Sequence, residues 1–305
     1  MSAGGSTRAI LAALLANAGI SVAKFVGFLV TGSSSMLAEA VHSVADTSNQ
    51  GLLLFGQRQA RKQADDLHQF GFGRSRYFYS FVVALVLFSL GAVFALYEGY
   101  HKIVHPVPLS SPVVAIAILV VAIGLEGFSF RTAVVESRPL KGASTWWQFI
   151  RRSRNPELPV VLLEDTGALI GLVLALGGVG LTVLTGNPVW DGVGTVAIGA
   201  LLGVIAVVLM TETHSLLIGE GATREDCRAI RAAIEETPHV DRVIHLRTQY
   251  LGPEEMLVGA KIALAPKTDL RMVAATIDAA EAAIRAAVPA ARVIYLEPDL
   301  DRASK

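Results

Sequence analysis

The stretch SMLAEAVHSVADTSNQGLLLF, Ser35–Phe55, holds one uninterrupted predicted membrane helix, Met36–Phe55, with ionisable groups along one face. His42 and Asp46 stand at i and i+4, where a neutral imidazole and a carboxylate can grip one cation. Glu39 lies three residues before His42, close to the same face. An ionisable group inside a bilayer costs about 2.5–3.5 kcal/mol on insertion scales. Polar contacts between membrane helices are ordinarily made by Ser, Thr, Asn or Gln. A His–Asp pair here therefore points to a transition-metal site, with a helix–helix hydrogen-bond pair as the structural alternative.

The rest of the chain agrees with a membrane setting. Of 305 residues 52% are hydrophobic and 17% charged, with a mean hydropathy of +0.52. Soluble domains average about 25% charged residues. The formal net charge is zero, which gives no electrostatic reason to expect a nucleic-acid partner. The one cysteine, Cys227, excludes an internal disulfide and any CxxC zinc site.

Apolar runs near the ~20 residues that cross a bilayer predict six spans. They cover Ile10–Val30, Met36–Phe55, Ser80–Ile103, Pro112–Phe130, Val160–Leu184 and Trp190–Met210. The first run is too long for a signal-peptide core, and too few residues precede it for a mitochondrial transit peptide, so a retained helix is expected. Basic residues cluster in two loops. Arg58, Arg61, Lys62, Arg74 and Arg76 follow the second span; Arg138, Lys141, Arg151, Arg152 and Arg154 follow the fourth. The opposite side offers only Lys102 as a fixed positive charge, so both termini are expected to be cytoplasmic.

The composition changes after Met210. Thr223 can cap a helix running to Thr237, with Glu225 and Asp226 in its first turn. Val240–Leu251 and Met256–Leu264 read as strands joined at Gly252-Pro253. Asp269–Val288 has helical periodicity, and Arg292–Leu296 is a short final strand. The predicted fold is thus a six-helix membrane domain over residues 1–215, then a small α+β domain of order αββαβ over 216–305. Such an appendage suits dimerisation or regulation.

Further polar groups lie in the spans. Glu164 and Asp165, in VVLLEDTGALIG, begin the fifth. Neighbours on a helix point about 100° apart, so only one faces a given partner squarely. Glu164 reads as a further ligand, a proton acceptor or an interfacial carboxylate. Glu126, between glycines of the fourth span, reads as a carboxylate reaching back to water, with a proton-pathway role as the alternative. Asp191 reads as the helix-start carboxylate of the sixth. Gly167 with Gly171, and Gly199 with Gly203, are small-xxx-small pairs that permit close packing, the first of them between the fifth and second spans. In ADDLHQFGFGR, Asp65, Asp66 and His68 offer weak second-site ligands or a solvated turn.

SMLAEAVHSVADTSNQ, ADDLHQFGFGR, LVVAIGLEGFSF and VVLLEDTGAL together resemble the cation diffusion facilitator family of divalent-metal/proton exchangers. HSVADTSNQGLL, VVLLEDTGALIG and TGNPVWDGVG are similar to its mitochondrial-type zinc transporter branch, which has bacterial members. The resemblance spans nearly the whole chain and implies a ferredoxin-like tail. It also implies two metal ligands on helix two, matched by His42 and Asp46, and two on helix five. Asp165 matches the later of these. The earlier falls at Val161, which cannot ligate, so water or Glu164 is left to complete a tetrahedron. His68 matches one of two loop histidines, with Phe72 in place of the other. Lys261 and Leu296 stand near positions where the family's tail histidines often stand, so no strong binuclear zinc cluster is expected there.

The function implied is export of a divalent metal from the cytoplasm in exchange for protons, by alternating access. With one imidazole and carboxylates Zn²⁺ fits best, with Mn²⁺, Fe²⁺ and Co²⁺ as alternatives. The metal is cargo, and no cofactor is expected. No enzyme activity is expected either, since HExxH and a nucleophile–base pair are both missing. The competing functions are proton-coupled transport of a non-metal substrate and metal sensing without flux. The expected setting is a homodimer in a bacterial inner membrane.

Overall fold

A computed structural model describes residues 18–265 and 269–299. Six long helices take the places of the six predicted spans. They are α1 (Ala18–Thr31 of the described residues), α2 (Ser34–Ala60), α3 (Ser75–Val104), α4 (Pro112–Lys141), α6 (Glu157–Thr185) and α7 (Val189–Ile218). A short helix, α5 (Trp146–Arg152), lies between α4 and α6. Residues 10–17 of the first predicted span fall outside the described residues. Among the described residues four helices, α3, α4, α6 and α7, are long and apolar enough on their own to cross a membrane. In α2 the polar run Glu39–Gln50 dilutes the apolar residues, so its membrane character comes from the bundle around it.

The spans are longer than their apolar cores. The predicted end of the fourth at Phe130 is corrected to Lys141, so Arg138 and Lys141 lie on the helix and not in a loop. Arg151 lies on α5, whose start Thr145 and Gln148 close with a reciprocal capping box. α3 carries a π-helical stretch over Leu87–Val93.

Glycines set the tightest helix contacts. A Cβ added at Gly99 of α3 would stand 2.7 Å from the backbone nitrogen of Val196, and one at Gly199 of α7 2.8 Å from that of Leu96. These two helices therefore pack backbone to backbone. Gly171 of α6 faces α2, where a Cβ would stand 2.6 Å from Glu39 Oε1. The other half of that predicted pair is corrected: Gly167 faces Ile205 of α7.

Asp191 does more than begin α7. Its buried carboxylate accepts hydrogen bonds from the backbone N–H of Ser34 at 2.8 Å and of Ser35 at 3.4 Å, and from Ser33 Oγ at 2.8 Å. An acid on one helix thus satisfies orphan donors at the start of α2 and favours its positive end. This contact fixes where the ionisable face of α2 begins.

The tail has the predicted αββαβ order. Helix α8 is Arg224–Glu235 and α9 is Leu270–Ala287; the strands are β1 (Val240–Gly252), β2 (Glu255–Leu264) and β3 (Ala291–Asp299). Thr223 and Asp269 cap the two helices, accepting from the N–H of Asp226 and Met272. The sheet order is β1-β2-β3, antiparallel in the first pair and parallel in the second. Burial alternates along β2, whose Met256, Val258, Ala260 and Ile262 share a core with Ile230 and Ile234 of α8 and Ile284 of α9. The described chain divides into two compact units. One runs to Arg58 and resumes over Phe78–His214. The other joins Gln59–Tyr77 to the residues from Ser215 on.

Candidate metal centre

His42 and Asp46 face each other along α2. His42 Nε2 is 3.5 Å from Asp46 Oδ2, and the His42 side chain is 1% exposed. Neither imidazole nitrogen has a hydrogen-bond partner, and Asp46 Oδ1 has none either. Buried polar atoms are nearly always paired. A fully buried imidazole with two unpaired nitrogens beside a carboxylate is therefore arranged for something other than a structural hydrogen bond.

Glu164 and Asp165 of α6 point to different neighbours. Glu164, buried, accepts from Asn49 Nδ2 at 2.6 Å, one turn beyond Asp46 on α2. Asp165 Oδ2 accepts from Ser129 Oγ of α4 at 3.2 Å. The contact across to α2 is thus made by Glu164. Asp165 opens onto a cleft of about 280 Å³ between α2, α4 and α6, which Gln50, Gln57, Glu136, Glu157 and Val161 also line. Gln57 Nε2 donates to Glu157 Oε2 across that cleft at 2.6 Å.

Among the described residues no three His, Cys, Asp or Glu side chains stand close enough to share one ion. The structure brings His42 to Asp46 but does not gather Asp165 or Glu164 around them, because Ser129 and Asn49 hold these two carboxylates. Glu39 is drawn elsewhere too. Its Oε2 lies 3.1 Å from Nζ of the buried Lys24 on α1. Glu126 does not reach water, a correction to its expected place. It is 6% exposed, with Oε1 3.8 Å from the same Lys24 Nζ. A buried ammonium attracts buried carboxylates more strongly than distant water does.

Asp65 and His68 do meet. Asp65 Oδ1 accepts from the N–H of His68 at 2.6 Å and lies 3.0 Å from His68 Nδ1. The backbone bond from His68 is the largest of the influences that hold the Asp65 carboxyl below the usual carboxylate range. Both side chains are half exposed, and one oxygen of Asp65 is already engaged within its own turn. In the tail, Lys261 Nζ lies 3.0 Å from Glu297 Oε1 and 3.1 Å from Asp299 Oδ2, and these acids raise its pKa above the ordinary lysine value.

Sequence reading missed Lys24, Asn49 and Ser129. Lys24 had a signal: it is the one charged residue of Ala18–Thr31, and an ionisable residue within a span is by default functional. Asn49 and Ser129 had none, since such residues are common in membrane helices.

A polar-faced helix inside an apolar bundle, followed by an α+β tail, defines a multi-pass membrane protein with a buried ionisable site. The Cation efflux transmembrane domain matches residues 10–218, and the Cation efflux protein cytoplasmic domain matches 222–299. The chain belongs to the cation efflux family, whose members are transporters and not enzymes. It is 35% identical over 231 residues to the proton-coupled zinc antiporter SLC30A9, mitochondrial, of Mus musculus, covering 75% of this chain and 41% of that protein. Metal tolerance protein C4 of Arabidopsis thaliana is 29% identical over 261 residues, covering 84% of this chain and 57% of its own. Magnetosome protein MamB of Magnetospira sp. (strain QH-2) is 24% identical over 246 residues, covering 79% and 78%. The chain spans about two fifths of the length of the mammalian antiporters it matches.

Proposed function

We propose that the protein exports a divalent transition metal, Zn²⁺ foremost, from the cytoplasm in exchange for protons. The observation that carries this reading is the buried His42–Asp46 pair on α2, with both imidazole nitrogens unpartnered. Metal ligation needs a neutral imidazole and ionised carboxylates, so binding releases protons and their return resets the carrier. Asp165 is the proposed third ligand. It joins the set by exchanging its Ser129 hydrogen bond for the ion, while Glu164 or water supplies the fourth position. The cleft at Asp165 is the proposed cytoplasmic approach, and alternating access carries the ion to the other side. One imidazole favours Zn²⁺ over Mn²⁺, with Fe²⁺ and Co²⁺ between them in demand.

The proposed domain boundary stays at residues 215 and 216, with the tail holding a homodimer. The proposed membrane is the bacterial inner membrane, with both termini cytoplasmic on the evidence of the basic segments after α2 and around α5. The zinc antiporter that names a proton-coupled exchange is a mitochondrial protein, so fractionation of native cells tests the compartment. The function itself is tested by zinc uptake into proteoliposomes with and without a pH gradient. Uptake should follow the gradient and fall to background in His42→Ala. Equal uptake by that variant at equal incorporation would overturn the assignment.

A further inference from the structure

Lys24 is wholly buried in a helix that is otherwise uncharged over its described length. Its ammonium donates to Ser43 Oγ at 2.8 Å and to Glu39 Oε2 at 3.1 Å, and lies 3.8 Å from Glu126 Oε1. One cation from α1 therefore gathers side chains of α2 and α4. Removing one partner of such a buried cluster leaves an uncompensated charge. Glu39, expected from the sequence beside the metal face, is instead engaged in this network, which borders the proposed site. Glu39 lies one turn before His42, on the side of α2 that meets Gly171 of α6. One of its oxygens is held by Lys24. The other, Oε1, is buried without a hydrogen-bond partner.

The geometry points to Lys24 as a positioning residue for metal selectivity, whose ammonium keeps the Glu39 carboxylate out of the ligand set of α2. This inference rests on the proposed metal site at His42 and Asp46. With Glu39 tied back, the α2 ligands are one imidazole and one carboxylate, a set that suits Zn²⁺. With Glu39 released, a second carboxylate stands one turn from His42, and the cargo dication is the nearby cation it can turn to. A ligand set richer in oxygen shifts preference towards Mn²⁺. Lys24 thus acts through Glu39 without touching the ion.

Calorimetry with Zn²⁺ and with Mn²⁺ on the full chain in lipid nanodiscs tests this, with unfolding midpoints measured in parallel. Lys24→Met should raise the Mn²⁺-to-Zn²⁺ affinity ratio by about tenfold or more, the scale on which outer partners tune metal sites. Lys24→Arg, which keeps the charge, should hold the original ratio. Lys24→Met with Glu39→Gln should restore it, because the released carboxylate is gone. Should Lys24→Met fail to fold, Lys24→Met with Glu126→Gln removes one charge of each sign, leaves Glu39 released, and should show the same shift. An unchanged ratio in the folded Lys24 variants, with stability alone reduced, makes Lys24 merely structural and overturns the inference. A shift that survives Glu39→Gln overturns it as well. His42→Ala separates the two levels of argument. If it keeps zinc binding, the site assignment fails; if it loses binding while the Lys24 series shows no shift, only the present inference fails.

Discussion

Asp165 and Glu164 are adjacent in sequence but serve different neighbours, and that separates their expected roles. Asp165 borders the cleft, while Glu164 is held by Asn49 against α2. Asp165→Asn should reduce zinc transport to the level of Asp46→Asn, and Glu164→Gln should be milder. Transport that survives the first and dies with the second would make Glu164 the ligand. Val161 lines the same cleft one turn before Asp165. Val161→His should therefore tighten zinc binding by supplying a second imidazole and closing the tetrahedron, about tenfold or more by calorimetry. Weaker binding that recovers when Glu164→Gln is added would show that Glu164 already fills the fourth position. Outside the membrane, the Asp65 turn carries a pH signature. Its carboxyl is depressed, so its contribution is present above the ordinary carboxylate pKa of about 3.9 and is lost as pH falls through the lowered folded value. A carbon-13 titration of the Asp65 carboxyl should give a midpoint below that reference, and Asp65→Ala should free the His68 amide.

At the scale of elements, α3 and α7 approach each other backbone to backbone at Gly99 and Gly199. Gly99 approaches the nitrogen of Val196, whereas an added Cβ at Gly177 of α6 would meet nothing within 4 Å. Gly99→Ala should therefore destabilise by about 1–3 kcal/mol through overpacking against an atom that cannot step aside. Gly177→Ala should be neutral, or stabilise by up to about 1 kcal/mol through helix propensity. Thermal unfolding of both variants in one detergent gives the comparison. Equal losses would mean that the α3–α7 approach is looser than its geometry. The start of α2 depends in a similar way on another element, since Asp191 of α7 accepts from the Ser34 and Ser35 amides while Ser33 Oγ accepts from that of Met36.

For the whole molecule, the expected assembly is a homodimer associated partly through the tail. The tail's Lys261 places an ammonium between Glu297 and Asp299, so a cation of the chain's own already bridges these two acids. Dimerisation should accordingly survive chelation, with mass measurement in detergent at micromolar concentration giving twice the chain mass before and after EDTA. Monomers throughout would count against the assembly, and dissociation by EDTA alone would give metal a structural role in it.

The sequence by itself determined which elements exist and what chemistry they hold. Apolar runs of bilayer length and an αββαβ alternation follow from local periodicity, which each segment carries alone. The one-turn spacing of His42 and Asp46 is likewise a property of one helix. Tertiary structure decided the partners of those groups. Lys24 meets Glu39 of the next helix and Glu126 of α4, Glu164 turns to Asn49, and Asp165 turns to Ser129. A buried charge takes the best counter-group that packing brings within reach, and packing depends on where glycines let backbones close up, which no single helix records.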